Sequence, residues 1–193
     1  MTEGPKRQAR GLERRARILD ATLRVIGRDG IAAVTHRSVA DEAEVPFASV
    51  GYYFASKEDL LREALTAFVD DEVARLRAVA ERLEAAGPDF TPEQLIDGFI
   101  EVLDQVHSRA QFEIYLEAAR NPQLQAVADR CFRAYEEVAR LAVRAAGGDP
   151  ADADVAATAV LAMTDGLAVR RLAAPGTVPR DALRDGFLLV LRA

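Results

Sequence analysis

Tryptophan is absent from this 193-residue chain, histidine occurs twice and cysteine once. A lone Cys131 excludes a disulfide within one chain and fits a reducing, cytoplasmic setting. It sits on an apolar stripe, where a small core residue is expected. His36 and His107 are far apart in sequence and no Cys/His cluster has metal-ligand spacing, so no metal is expected. A glycine-rich phosphate loop and a nucleophile elbow are also missing, so no cofactor is implied and nothing motivates an enzyme. No apolar run approaches the roughly 18 residues of a membrane span. The N-terminus is basic without an apolar block behind it, unlike a secretory signal.

Half the residues are hydrophobic, enough for a sizeable core, and Ala, Leu, Val, Arg and Glu dominate, which favours helix. The net charge of −6 argues against nucleic acid until its distribution is considered. Residues 1–57 hold ten Lys/Arg against seven Asp/Glu, and the remainder holds fifteen against twenty-four. In the first seventeen residues Lys6, Arg7, Arg10, Arg14, Arg15 and Arg17 face only Glu3 and Glu13. A basic end on an acidic body suits a phosphate-binding head on a soluble sensor. Residues 1–9 taken alone are equally consistent with a solvated, disordered tail.

Helical periodicity runs through the chain and strand signals are nearly absent, so the fold class is all-α. Ile18, Ala21, Thr22, Val25 and Ile26 form one stripe of a first helix from about Gly11 to Arg28, closed by Gly30. Thr35 caps a short second helix that turns Val39, Ala40 and Ala43 inward and stops near Ala43, because Val45 precedes Pro46. Pro46 opens a third helix to Tyr53, with Val50 and Phe54 packing inward at i and i+4. Ser56 and Asp59 read as a capping box for a long helix carrying Leu60, Leu61, Ala64, Leu65, Phe68, Val69, Leu76 and Leu83, ended by Gly87-Pro88. Further helices follow: one from Thr91-Pro92, one carrying Phe112, Tyr115, Leu116 and Ala119, and one from Asn121-Pro122 to Gly147-Gly148. The last two run from about Ala151 to Leu172 and from Pro179 to Leu191.

One longer helix followed by two short ones is the arrangement of a three-helix DNA-binding head with a helix-turn-helix. A major groove about 12 Å wide admits one helix, and the third displays Phe47, Ser49, Tyr52 and Tyr53 for thymine methyls, base edges or phosphates. The alternative at this level is an ordinary helical hairpin whose aromatics fill a small core.

The stretch Gly30–Ala43, then Val45, then Tyr52-Tyr53-Phe54-Ala55-Ser56-Lys57-Glu58-Asp59-Leu60-Leu61 resembles the head of the TetR/AcrR family of transcriptional regulators. The Tyr-Phe-x-Ser-Lys-x-x-Leu-Leu ending is its most specific part, and the likeness covers roughly residues 12–65. It implies an N-terminal arm and DNA-binding domain over residues 1–54 and a larger helical ligand-binding and dimerisation domain over 55–193. It also implies a repressor released from an inverted-repeat operator on double-stranded DNA by an unidentified small-molecule effector, acting as a homodimer. By position, Thr35 caps the second helix beside a phosphate, and His36 and Arg37 lie near the backbone or a base edge. The resemblance further implies that Phe47, Ala48, Ser49 and Gly51 face the groove, that Tyr52 and Tyr53 lie on phosphates, and that Lys57 supplies an ammonium at a helix start. Three departures stand out: Glu44 replaces the turn glycine, Ala48 a common glycine and Gly51 a common tyrosine. The competing function is a helical small-molecule-binding protein without DNA binding.

In the body, Phe99, Leu103, Phe112, Tyr115, Leu116, Phe132, Tyr135 and Met163 either line an effector cavity between helices or are plain core. Asp165 and Arg170 are candidate polar anchors, or partners in a surface ion pair. Ala156, Ala159, Val160, Met163, Gly166 and Leu167, with Phe187, Val190 and Leu191, form either the dimer interface or intramolecular packing.

Overall fold

The computed structural model describes residues 3–86, 108–145, 151–177 and 179–191, with the backbone alone at residues 3–7, 83, 84, 86, 108, 145, 180, 183, 187 and 189–191. Its elements are α1 (Glu3–Asp29), a 3-10 turn (Ile31–Ala33), α2 (His36–Glu42), α3 (Phe47–Tyr53), α4 (Lys57–Ala86), α5 (Ser108–Ala118), α6 (Pro122–Ala145), α7 (Ala153–Ala173) and α8 (Arg180–Leu191). No strand occurs among the described residues. They fall into two compact units, one drawn from Met1–Asp70 with Arg109–Ala128 and the other from Asp71–Ser108 with Asp129–Ala193.

In the first unit Ile18, Ala21, Thr22, Val25 and Ile26 are all fully buried, as the periodicity requires. The Thr22 hydroxyl avoids an unpaired burial by donating to the Ile18 carbonyl at 2.8 Å. Val34, Val39, Ala40, Ala43, Val50 and Phe54 close the core from α2 and α3, and Leu60 to Val69 of α4 close it from the other direction in sequence. Gly30 ends α1 with φ 83 and ψ 166, a backbone region open essentially to glycine alone. Helix α5 contributes Ala110, Ile114 and Ala118. It passes close to α1, where a methyl built on Gly27 would lie 3.8 Å from the Ala110 methyl.

The first helix begins eight residues before the expected Gly11. Residues 3–10 continue the helix and are not a separate arm. Gln, Ala, Arg and Lys propagate helix well, and Pro5 falls in the first turn, where its missing N–H leaves no hydrogen bond unmade. Helix α3 starts one residue later than expected, with Pro46 at its cap.

In the second unit Leu76, Cys131, Val138, Ala139, Val143, Ala153, Ala157 and Val160 are buried. Glu72, also buried, accepts hydrogen bonds from Arg75 one turn along α4, including one from Nε at 3.1 Å, and from the Tyr135 hydroxyl of α6. Helix α7 ends in a turn over Ala174–Thr177, closed by Thr177 N–H on the Ala174 carbonyl at 3.2 Å. Pro175 and Gly176, the latter at φ 80, occupy the central positions of a type II turn. Helix α8 packs on α7, where a methyl on Gly186 would lie 3.5 Å from the Met163 sulfur.

Candidate nucleic-acid interface

The site is assembled by the caps of two short helices. The Thr35 hydroxyl accepts the Ser38 N–H at 3.0 Å while the Ser38 hydroxyl accepts the Thr35 N–H at 2.9 Å, a reciprocal capping box that fixes the start of α2. At its other end Val45 N–H donates to Ala40 carbonyl at 3.0 Å and Glu44 N–H to Asp41 carbonyl at 3.3 Å. This pair of bonds is the Schellman motif, whose turn residue must be left-handed. Glu44 fills it at φ 53, the one positive-φ residue other than glycine among the described residues. The turn therefore keeps its shape with glutamate at the glycine position and carries the backbone strain there. Pro46 follows, its carbonyl accepting the Ser49 N–H at 2.8 Å to open α3.

Helix α1 clamps this pair electrostatically. Arg17 donates to the Ala43 carbonyl at 2.7 Å, placing a cation at the C-terminal, partially negative end of α2. Arg24 and Arg28 both donate to the Glu42 carboxylate, at 2.8 and 2.7 Å. Hydrogen bonds from Arg28 and then Arg24 hold that carboxyl below the usual range, and both guanidinium groups are pushed up in turn, each chiefly by its carboxylate hydrogen bonds. Arg15 pairs with Glu63 of α4 and lies over the Phe54 ring, 5.6 Å from its centre.

With that frame in place, Val50 and Phe54 pack inward as expected, and the rest of α3 faces out. Phe47 is 57% exposed and Tyr52 82%; Ala48 and Gly51 are exposed, and Ser49 and Tyr53 half-buried. The Tyr52 and Tyr53 rings meet edge to face at 5.1 Å. Exposed Arg37 of α2 stands over the Phe47 ring at 5.9 Å, joining the two short helices at the surface. His36 is half-buried, and its Nε2 has no hydrogen-bond partner among the described residues. The Ser56 hydroxyl accepts the Asp59 N–H at 3.0 Å, confirming the cap of α4, and Lys57 reaches back to the Ala32 carbonyl at 3.3 Å. All ten candidate DNA contacts thus fall within one unit.

An open cleft of about 690 Å³ lies between the N-terminal part of α1 and α3. Arg10, Leu12 and Arg14 form one side, and Ser49, Tyr52 and Tyr53 the other. Arg10 and Arg14 were not among the candidate contacts, although their i, i+4 spacing on a basic helix was a readable signal.

The family model for bacterial regulatory proteins of the tetR family matches residues 18–64, and that for a tetracyclin repressor-like C-terminal domain matches residues 90–193. The chain belongs to the TetR family. It is a DNA-binding transcriptional regulator with a helix-turn-helix head and a helical ligand-binding domain. Among its relatives, the nicotine-responsive transcriptional repressor HdnoR of Paenarthrobacter nicotinovorans is 30% identical over 92% of this chain and 95% of its own length. A TetR-family member from Streptomyces coelicolor A3 superposes with a TM-score of 0.70 at 32% identity, covering 92% of this chain and 98% of that one. A transcriptional regulator from Saccharomonospora viridis in complex with choline does so at 0.71 and 25%, covering 93% and 96%.

For a TetR-family chain the body residues matter next, and several candidates are placed differently from expectation. Phe99 and Leu103 lie outside the described residues, as does the helix expected from Thr91. Phe112 and Tyr115 are half-buried in the first unit, rings edge to face at 6.0 Å. Leu116 is 57% exposed, because Ile114 and Ala118 take the inward face of α5. Phe132 is exposed too, its neighbour Cys131 holding the buried position, while Tyr135 and Met163 are half-buried.

On α7, Val160 is buried in the unit's own core with Ala153, Ala157 and Thr164, the intramolecular of the two readings given for it. Ala156, Met163 and Leu167 are half-buried, and Ala159 and Gly166 are exposed. Phe187, Val190 and Leu191 lie on α8, their side chains outside the described residues. The outward stripe is Val155, Ala159, Ala162, Gly166 and Val169, repeating at four and three residues, with Val155 73% exposed. No described helix is long and apolar enough to cross a membrane.

Proposed function

We propose that this chain is a cytoplasmic, homodimeric repressor, not an enzyme, that grips an inverted-repeat operator through residues 1–54 and is released when residues 55–193 bind a small organic cation. The observation that supports the DNA contacts best is the outward face of α3. A helix of seven residues exposes Phe47, Tyr52, Ala48 and Gly51 while only Val50 is buried within it. Thr35, His36, Arg37 and Lys57 flank it, so base edges meet α3 and phosphates meet the flanks. A two-fold dimer would set two such helices roughly 34–36 Å apart, or a multiple of that, on one side of the duplex.

The outward stripe of α7 supports the dimer. Small residues at a four-three repeat let a partner helix approach closely, and a two-fold axis would lay the stripe against its own copy. Effector binding would then favour a head separation that misfits successive major-groove turns, a shift of population between existing states.

Nicotine responsiveness in one relative and bound choline in another favour an amine or quaternary ammonium effector. Asp165 of α7 is the described carboxylate that suits one: it is half-buried, makes no hydrogen bond or ion pair among the described residues, and desolvation pushes its pKa up. Tyr135 and Met163, half-buried in the same unit as Asp165, are the aromatic and apolar candidates beside it.

The decisive experiment is gel retardation of the DNA upstream of the gene, with and without choline or nicotine. Retardation that Tyr52→Ala or Lys57→Ala abolishes, at unchanged thermal midpoint, supports the contact surface. Wild-type affinity in both variants would remove it. Release by cationic amines but not by neutral isosteres supports the effector class, and the reverse pattern rejects it.

A further inference from the structure

The arginines of α1 whose side chains are described divide into two sets. Arg15, Arg17, Arg24 and Arg28 are committed inside the head, to Glu63, the Ala43 carbonyl and Glu42. Arg10 and Arg14 are exposed and have no hydrogen bond or ion pair among the described residues. They sit one turn apart on the same face and point at the cleft whose far wall is α3. Among the described residues no Asp or Glu lines that cleft, and Glu13 of the same helix is not among its wall residues.

The geometry points to this cleft as the seat of the sugar-phosphate backbone of one DNA strand, with Arg10 and Arg14 as phosphate ligands and the Tyr52 ring and Leu12 against the sugars. The inference rests on the DNA-binding reading above and adds to it a contact surface outside the helix-turn-helix itself. Charge selects the occupant: two unpaired guanidinium groups and two tyrosine hydroxyls are donors for anionic oxygens, and the nearest polyanion to α3 in a major groove is the strand at its edge.

Size decides how α1 approaches. A helix with side chains is about 10–12 Å across, whereas the minor groove is about 6 Å wide. Because residues 3–10 are helical, they cannot thread that groove as an extended arm would. The N-terminal part of α1 must lie across the backbone, where it senses phosphate and not base. Its contribution is therefore the same on every sequence.

The test measures affinity of the full-length protein against KCl concentration on two duplexes, one selected by the protein from a random pool and one unrelated. Wild type, Arg10→Ala/Arg14→Ala and Arg10→Lys/Arg14→Lys are compared, with thermal midpoints to show that the exposed substitutions leave the fold intact. Each lost phosphate contact flattens the slope of log K against log [KCl] by about 0.9, so the alanine pair flattens it by about 3.6 in a dimer with two heads. The loss is equal on both duplexes, and the lysine pair restores most of the slope. Wild-type slopes in the alanine pair, or a loss confined to the selected duplex, overturn this inference alone. Failure of the wild type to bind either duplex overturns the DNA-binding reading and this inference with it.

Discussion

Helices α1 and α7 both carry more than one turn's worth of apolar side chains, and they dispose of them differently. Within α1 a single stripe, Ile18 to Ile26, is consumed by the core of its own unit, and the opposite face is charged. Helix α7 buries Ala153, Ala157, Val160 and Thr164 and still leaves Val155, Ala159, Ala162, Gly166 and Val169 outside. A helix with one apolar stripe is satisfied by its own chain; a helix with two requires something else to cover the second.

The comparison breaks first at the core. Ile18→Ala removes a fully buried side chain and is expected to lower stability by about 2–5 kcal/mol, read by urea unfolding. Val155→Glu sits on an exposed position and is expected to leave the monomer's unfolding transition in place. In a two-fold interface it places a carboxylate from each copy in the contact, weakening the dimer by roughly 3 kcal/mol, about a hundredfold in dissociation constant. Sedimentation at micromolar concentration distinguishes the cases. A Val155→Glu protein that unfolds, or that sediments as wild type does, would show that α7 has no second stripe in the sense argued.

The same contrast explains what could be read in advance. The α1 stripe was legible because charged residues mark its other face, so the helical phase is unambiguous. The head was legible because its caps are chemical: Thr35, Pro46, Ser56 and Asp59 each announce a local bond that forms. On α7 nearly every position is small or apolar, so the phase is lost, and the sequence leaves interface and core undivided for Val160. Leu116 and Phe132 are exposed for a related reason: Ala118 and Cys131, smaller apolar residues near them, take the inward positions. The packing of α5 against α1 at Gly27 and Ala110 had no sequence signal at all, because two small residues eighty-three positions apart announce nothing until the chain is folded. Arg10 falls just before the expected helix start at Gly11, so its one-turn spacing from Arg14 emerges only with a helix that begins at Glu3.

A smaller effect sharpens the comparison at the head's own irregularities. Glu44→Gly relieves a left-handed residue and is expected to gain about 0.5–1 kcal/mol net of the glycine's greater unfolded-state entropy. Gly51→Ala is expected to gain about 0.8–1.0 kcal/mol, since a methyl there meets nothing within 4 Å. Both are measured as shifts in thermal midpoint, and a loss at either position would mean that the α2–α3 turn is held by contacts other than those described.

The smallest effects are electrostatic, and the two regions respond to pH with opposite sign. Glu42 is held below the ordinary carboxylate range by Arg28 and Arg24, so the unfolded chain binds its proton more readily than the folded one. Its contribution is present above the unfolded pKa and is lost as pH falls through the lower folded value. Asp165 is raised by desolvation, so folding disfavours its charge. That penalty is absent at low pH, appears as pH rises through the unfolded pKa, and is complete above the folded value. Glu42→Gln is therefore expected to lower the thermal midpoint at pH 7 and to converge with wild type in acid. Asp165→Asn is expected to raise it at pH 7 and to converge in the same direction of titration. Because an exposed ion pair contributes little, the signs and the convergence carry the test, not the sizes. If both substitutions moved the midpoint the same way at pH 7, the two carboxylates would share an environment, and the case for Asp165 as the unpaired anchor of a cationic effector would go with it.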